Sequence, residues 1–168
     1  RRMTVERGGP LDTLYMAFHT CNRTHPDYYA VDMLSDLLAN GSSSRLIEHL
    51  VKQKQIFSQI DAYITGSFDE GLLKITGKPL PGISLEEAEA YIWQELETLC
   101  QTMPEEKELE KVKNRYEAEQ TIKSVNFLNN AVNMAYFELI GQAEDVNDEV
   151  RNYHSVTPQD IQRVANKV

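Results

Sequence analysis

The side chains that could do chemistry are few and dispersed. Four histidines, His19, His25, His49 and His154, are scattered along the chain. A catalytic zinc needs three or four converging ligands, and on a helix it commonly takes two histidines four residues apart, as in His-x-x-Glu-His. Arg45-Leu46-Ile47-Glu48-His49 has the end of that pattern, but its first position is Arg45. A guanidinium stays protonated and has no lone pair for a metal. Glu48 and His49 therefore read as helix-surface groups. Ser42, Ser43 and Ser44 could hold a nucleophile, yet no strand leads into them at the sharp turn a nucleophile elbow needs, and spacing places no base. Their expected use is capping and loop hydrogen bonding. Gly41 before them is a lone helix-stop glycine, not a phosphate loop. Cys21 and Cys100 make neither a metal-ligand spacing nor a disulfide framework. They read as two buried free thiols in a reducing compartment, one disulfide being the alternative. Tyr91 and Trp93 sit within an amphipathic pattern, where packing explains them. Glu105 and Glu106 suit a helix N-terminus, where the dipole favours negative charge. By spacing and chemistry alone, no catalytic apparatus is visible.

These residues are carried by elements that the periodicity marks out. Leu14, Met16 and Phe18 alternate with Tyr15, Ala17 and His19, as in a strand. Pro26 disfavours helical geometry at His25, and from Asp27 the period becomes helical, with Ala30, Leu34, Leu37 and Leu38 on one face. Asn40-Gly41 is the stop, and Ser42 to Ser44 offer an N-cap to a second helix from about Arg45 to Lys54. Ile60, Ala62 and Ile64 line a second strand. Leu72 to Thr76 reads as a third, paired with it as a hairpin and closed by Gly77, Pro79, Pro81 and Gly82. Beyond this the pattern is helical. Ser84 with Glu87 makes a capping box before Leu85, Ala88, Ile92, Leu96 and Leu99. Thr102 with Glu105 makes a second box, opening a long helix through Leu109, Val112 and Tyr116. The pattern slackens near Ser124 and resumes with Leu128, Ala131, Ala135 and Leu139 up to Gly141. A short helix from Val146 to Tyr153 follows, and Thr157-Pro158-Gln159-Asp160 caps a last one, with Pro at the first helical position. An antiparallel hairpin with segregated helices implies α+β: an antiparallel sheet with helices packed on one side and a terminal strand missing.

The chain has 168 residues, read as one domain over 1–168, with 41% apolar and 26% charged residues, an ordinary globular composition. Its net charge is −9, and between Glu86 and Glu119 there are eleven Glu against four Lys or Arg. That acidity belongs to solvated helix faces. A domain that must neutralise phosphates needs the opposite balance, so nucleic acid is excluded as a partner. The apolar runs are too short to span a membrane. Arg1 to Arg7 are basic but lead into Gly8-Gly9-Pro10 with no apolar stretch behind them, unlike a signal peptide. With no initiator Met and a helical pattern running to Val168, the chain reads as a piece of a longer protein.

Several segments taken together carry a resemblance: His25-Pro26-Asp27-Tyr28-Tyr29-Ala30, Gly41-Ser42-Ser43-Ser44-Arg45-Leu46, Glu70-Gly71-Leu72, Ser84-Leu85-Glu86-Glu87-Ala88, Glu108-Leu109-Glu110-Lys111-Val112-Lys113-Asn114 and Val156-Thr157-Pro158-Gln159-Asp160-Ile161. In this order and spacing they resemble the repeated domain of the insulinase, pitrilysin and mitochondrial processing peptidase family. The resemblance covers nearly the whole chain, with Gly41, Ser43, Ser44, Arg45 and Leu46 as its structural motif. It implies a zinc metallopeptidase built from homologous α+β halves around a closed chamber. In that family the His-x-x-Glu-His motif and a distant Glu lie in the N-terminal domain, and the motif's Glu activates water. This chain lacks the motif, so the resemblance makes it the C-terminal, non-metal domain. Zinc belongs to an upstream domain of the parent, and no catalytic, cofactor or metal residue is assigned here. The implied partners are the homologous N-terminal domain, a second parent molecule in a dimer, and a peptide substrate. The family's C-terminal domain often presents an Arg and, seven residues later, a Tyr to substrate. Counted without gaps from Arg45-Leu46, those slots hold Val51 and Ser58, which can make neither a charged nor a phenolic contact. Two functions follow: a wall of the substrate chamber in a zinc endopeptidase, or a non-catalytic half or structural subunit of the same family. An intact zinc motif in the roughly 200 residues before Arg1 would decide between them.

Overall fold

The alternation at Leu14 becomes strand β1 (Leu14–Thr20), which buries Met16 and leaves Tyr15 and His19 in solvent. The computed structural model describes all residues of 1–168 except Arg7 and Pro10, so those two positions of the basic N-terminal stretch lie outside the described residues. Strands β2 (Phe57–Ile64) and β3 (Gly71–Pro79) form the expected hairpin, and the sheet order is β1-β3-β2, antiparallel throughout. Met16, Ile75 and Ala62 stand in one row across it. Helices α1 (Tyr28–Ala39) and α2 (Leu85–Gln101) cover one face, α1 against β2 and α2 against β1, and α6 (Pro158–Ala165) packs beneath both. Leu34, Leu37, Leu38, Ile60, Ile75, Ile92 and Ile161 close the core between these layers. The α+β architecture with helices on one side is the one the element order implied. Between α2 and α6 run α3 (Glu106–Ser124), α4 (Phe127–Ile140), a 3-10 segment (Ala143–Asp148) and α5 (Glu149–Ser155).

Local expectations fared unevenly. The Thr157/Asp160 capping box is present in both directions, with Pro158 at the start of α6. At Ser84 only half a box forms, the Oγ accepting from the Glu87 N–H at 3.1 Å. The Thr102/Glu105 box is absent: Thr102 closes α2 and Glu105 precedes α3 without a side-chain cap. Pro104 explains this, because it holds Met103 out of helical geometry and separates the two residues. Gly77 and Pro79 do not close the hairpin but continue β3. The missing side chain of Gly77 makes room for the Phe57 ring, whose Cε1 would lie 2.5 Å from an added Cβ. The second helix is not an α-helix. Ile47–Gln53 is π-helical, with the Lys54 N–H bonded five residues back to the His49 carbonyl at 2.9 Å. Gln55, at φ 54°, is the left-handed residue that turns the chain into β2. The short helix expected from Val146 divides into the 3-10 segment and α5. Cys21 and Cys100 are free thiols, half-buried rather than buried. The stripe Leu128, Ala131, Ala135, Leu139 faces solvent, and α4 buries Phe137 instead.

Candidate functional site

Three places gather the residues that matter: the Gly41–Leu46 loop, a buried polar cluster behind it, and the uncovered face of the sheet. The loop begins where α1 ends. Gly41 takes φ 102°, and a Cβ there would lie 2.5 Å from Arg115 Nη1. That close approach lets Arg115 of α3 donate to the Asn40 carbonyl while its Nη2 lies 3.3 Å from Asp36. Ser44 does not cap the following segment. Its Oγ donates to the Gly41 carbonyl at 2.7 Å, closing the loop on itself. Arg45 donates from Nε and Nη2 to the two oxygens of Glu108 at 2.7 and 2.9 Å, a bidentate pair joining the loop to α3. Leu46 is fully buried, and Ser43 is exposed. Asp36, Ser43, Glu108, Lys111 and Arg115 line a cleft of about 270 Å³ between loop and helix. The motif residues are thus brought together, and what they build is a strut.

Behind the loop lies a cluster that residue spacing did not reveal. Arg23 is buried and donates to Glu149 of α5 at 2.6 Å, its guanidinium 4.3 Å above the Tyr28 ring. Tyr153 donates to Asp32 of α1 at 2.5 Å and stacks against Tyr116 of α3, ring centres 3.7 Å apart. Burial pushes Asp32 up to about 6, despite the Tyr153 hydroxyl, and Asp36 nearby adds to the rise. Burial also raises Glu149, opposed by Arg23. These groups tie the segment after β1 to α1, α3 and α5. The sequence signal was a crowd of tyrosines around one arginine, which has no fixed spacing to search for.

The third place is the face of the sheet that no helix covers. Register sets Tyr15, Thr76 and Asp61 in one row and Ala17, Lys74 and Tyr63 in the next. Tyr15 is 75% and Tyr63 49% exposed, and the Lys74 ammonium lies 5.8 Å from the Tyr63 ring. Among the described residues no further strand pairs with the outer edges of β1 and β2. Of the two slots implied for substrate contact, Val51 is half-buried on the π-helical segment. Ser58 lies on β2 with its Oγ donating to the Lys78 carbonyl at 3.0 Å.

Among the described residues no three His, Cys, Asp or Glu side chains converge as a metal site. Histidines meet carboxylates in separate pairs: His25 with Asp27 at 3.9 Å, His49 with Glu95 at 2.7 Å and His154 with Glu117 at 3.1 Å. At the position where the zinc motif would begin, Arg45 is engaged with Glu108. The described residues of this chain do not fit a zinc centre.

The first 116 residues match a family model described as the peptidase M16 inactive domain. No curated protein matches the sequence. Among solved structures, a protease from Helicobacter pylori superposes with a TM-score of 0.89 at 25% identity, over 96% of this chain and 39% of that one. The inactive peptidase domain from Bordetella parapertussis gives 0.83 at 20% identity, over 97% of this chain and 88% of that one. The peptidase M16 inactive domain from Pseudomonas fluorescens gives 0.79 at 18%, over 92% and 37%. At 18% and 20% identity the likeness is one of fold. The chain spans well under half the length of the Helicobacter protease.

Proposed function

The chain belongs to the family of M16 peptidase inactive domains, and from that premise we propose that it forms a wall of the substrate chamber in a larger zinc metalloendopeptidase. The zinc and the water-activating glutamate then lie in a homologous N-terminal domain, and the parent protein works as a dimer. This chain contributes no catalytic group. Its part is to present the open sheet face to extended peptide.

The observation that carries the reading is the one-sided sheet. Antiparallel sheets commonly leave one face in water, but this one sets Tyr15, Tyr63 and Lys74 side by side there, with both edge strands unpaired among the described residues. Aromatic rings offer apolar area with a polar tip, and a free strand edge offers main-chain hydrogen bonds to an extended chain. Such a surface holds peptides with little regard to sequence. A second reading, a non-catalytic half or structural subunit of the same family, draws support from Val51 and Ser58, the residues that an ungapped count from Arg45-Leu46 sets where the resemblance implies a substrate-contacting Arg and Tyr.

Amide chemical-shift mapping with an unfolded peptide tests the first reading. Shifts should concentrate on Tyr15, Ala17, His19, Tyr63 and Lys74 and weaken in a Tyr63→Ser, Lys74→Ala variant. Shifts absent from the sheet at millimolar peptide would favour the structural subunit.

A further inference from the structure

Helix α4 is built the wrong way round for a surface helix. Only Phe137 of its side chains is buried, while Leu128, Val132, Ala135 and Leu139 form a continuous stripe in solvent. Phe127 at its start is 91% exposed, and Met134, to one side of the stripe, is 50% exposed. Together with Ile122 and Val125 just before α4, this stretch holds nearly half of the exposed large hydrophobic side chains among the described residues. Scattered single exposures are ordinary, but a contiguous patch of this size marks an interaction surface.

From this geometry we propose that the α4 stripe pairs with the α4 stripe of a second copy of this chain, antiparallel across a two-fold axis. Three observations select that occupant. The first is spacing. Steps of four, three and four residues make the stripe read the same in both directions, centred between Asn133 and Met134. A two-fold axis there sets Leu128 against Leu139 of the copy and Val132 against its Ala135, large against large and medium against small. An isologous interface requires such self-complementarity, and steps of three and four are those of a helix–helix seam. The second is charge. In a chain of net charge −9, α4 carries one ionisable acid, Glu138. Its carboxylate accepts from the Ala143 N–H at 3.1 Å rather than facing the stripe's partner unpaired. The paired faces themselves would therefore carry little like charge. The third is area. At about 60–120 Å² of apolar surface per exposed aliphatic side chain, the patch offers roughly 500 Å² per copy. Two copies bury about 1,000 Å², the lower bound for a specific interface. None of these residues lies on the sheet, so this inference does not depend on the function proposed above.

Sedimentation velocity across low to high micromolar concentration tests it. The wild-type chain should shift from monomer to dimer. Leu128→Glu should stay monomeric, since the antiparallel pairing buries its charge against Leu139 of the copy. Leu128→Glu combined with Leu139→Lys should dimerise again, because this register sets each Glu opposite a Lys. Both positions are exposed, so far-ultraviolet circular dichroism and melting temperature should be unchanged, and Phe68→Glu, an exposed apolar position elsewhere, should leave the dimer intact. A wild-type chain monomeric at every concentration would overturn the proposal. So would a Leu128→Glu variant that still dimerises, or a double variant that does not recover.

Discussion

Replacing Asp32 by Asn should make the protein more stable at neutral pH and leave it nearly unchanged in acid. Asp32 lies on α1 behind the Gly41 loop and accepts a hydrogen bond from Tyr153 at 2.5 Å. Burial lifts its carboxyl from an ordinary value of 3.8 to about 6, with Tyr153 opposing and Asp36 reinforcing the rise. A folded-state value above the unfolded one means that the native protein holds the extra proton between pH 4 and 6. Unfolding stability therefore falls as pH rises through that window. At about 1.36 kcal/mol per unit, the full displacement corresponds to at most about 3 kcal/mol. Partial access of water to the site brings the expected figure to about 2 kcal/mol. Glu149 and Asp36, also raised by burial, contribute in the same direction. Asp27 and Asp160 contribute oppositely. Burial would raise Asp27, but Lys167 and Arg163 hold it low, and the Thr157 hydroxyl lowers Asp160. Comparing variant with wild type cancels these other groups. The assay is urea denaturation at intervals from pH 4 to 7.5. The stability of Asp32→Asn relative to wild type should climb by about 2 kcal/mol across pH 4 to 6.5 and then level off. A flat difference, or one that falls with pH, would refute a carboxyl raised by burial at this site.

Other perturbations probe the remaining parts. Gly77→Ala should cost about 1–3 kcal/mol by driving a methyl into the Phe57 ring, lowering the melting temperature by roughly 2–10 °C in calorimetry. Arg23→Met should destabilise by about 3–5 kcal/mol because it strands Glu149 in the interior. The double variant Arg23→Met, Glu149→Leu should recover much of that loss, and equal loss in both would rule out a stranded charge. Arg45→Ala should cost about 1–3 kcal/mol through the lost bidentate contact to Glu108 while leaving peptide shifts on the sheet unaltered. A change in those shifts would make Arg45 part of a binding site rather than a strut. Metal analysis of the purified chain should find no stoichiometric zinc, and one tightly held zinc per chain would sink the assignment of the metal to another domain.

Sequence alone determined a good deal. Period-two alternation fixed β1 and the β2–β3 hairpin, because a half-buried strand must send every second side chain inward. Thr157-Pro158-Gln159-Asp160 fixed the start of α6, because a cap is made by neighbours in the chain. Arg45 at the head of an incomplete zinc motif cannot itself ligate a metal, since its guanidinium stays protonated and has no lone pair. What sequence could not decide was whatever depends on a partner distant in the chain. Arg45 meets Glu108 and Arg23 meets Glu149. Neither spacing recurs as a pattern, and only folding makes these residues neighbours. Gly77 has the look of a hairpin end in sequence, and only the fold brings the Phe57 ring into the space it leaves. The stripe on α4 shows the limit most plainly. Its periodicity established that Leu128, Ala135 and Leu139 share a face, but an apolar face only says that something should cover it. The tertiary structure turns that face outward, because Phe137 and its neighbours already fill the contact with the body of the domain. The same pattern that reads as core from one chain is thereby left for a second.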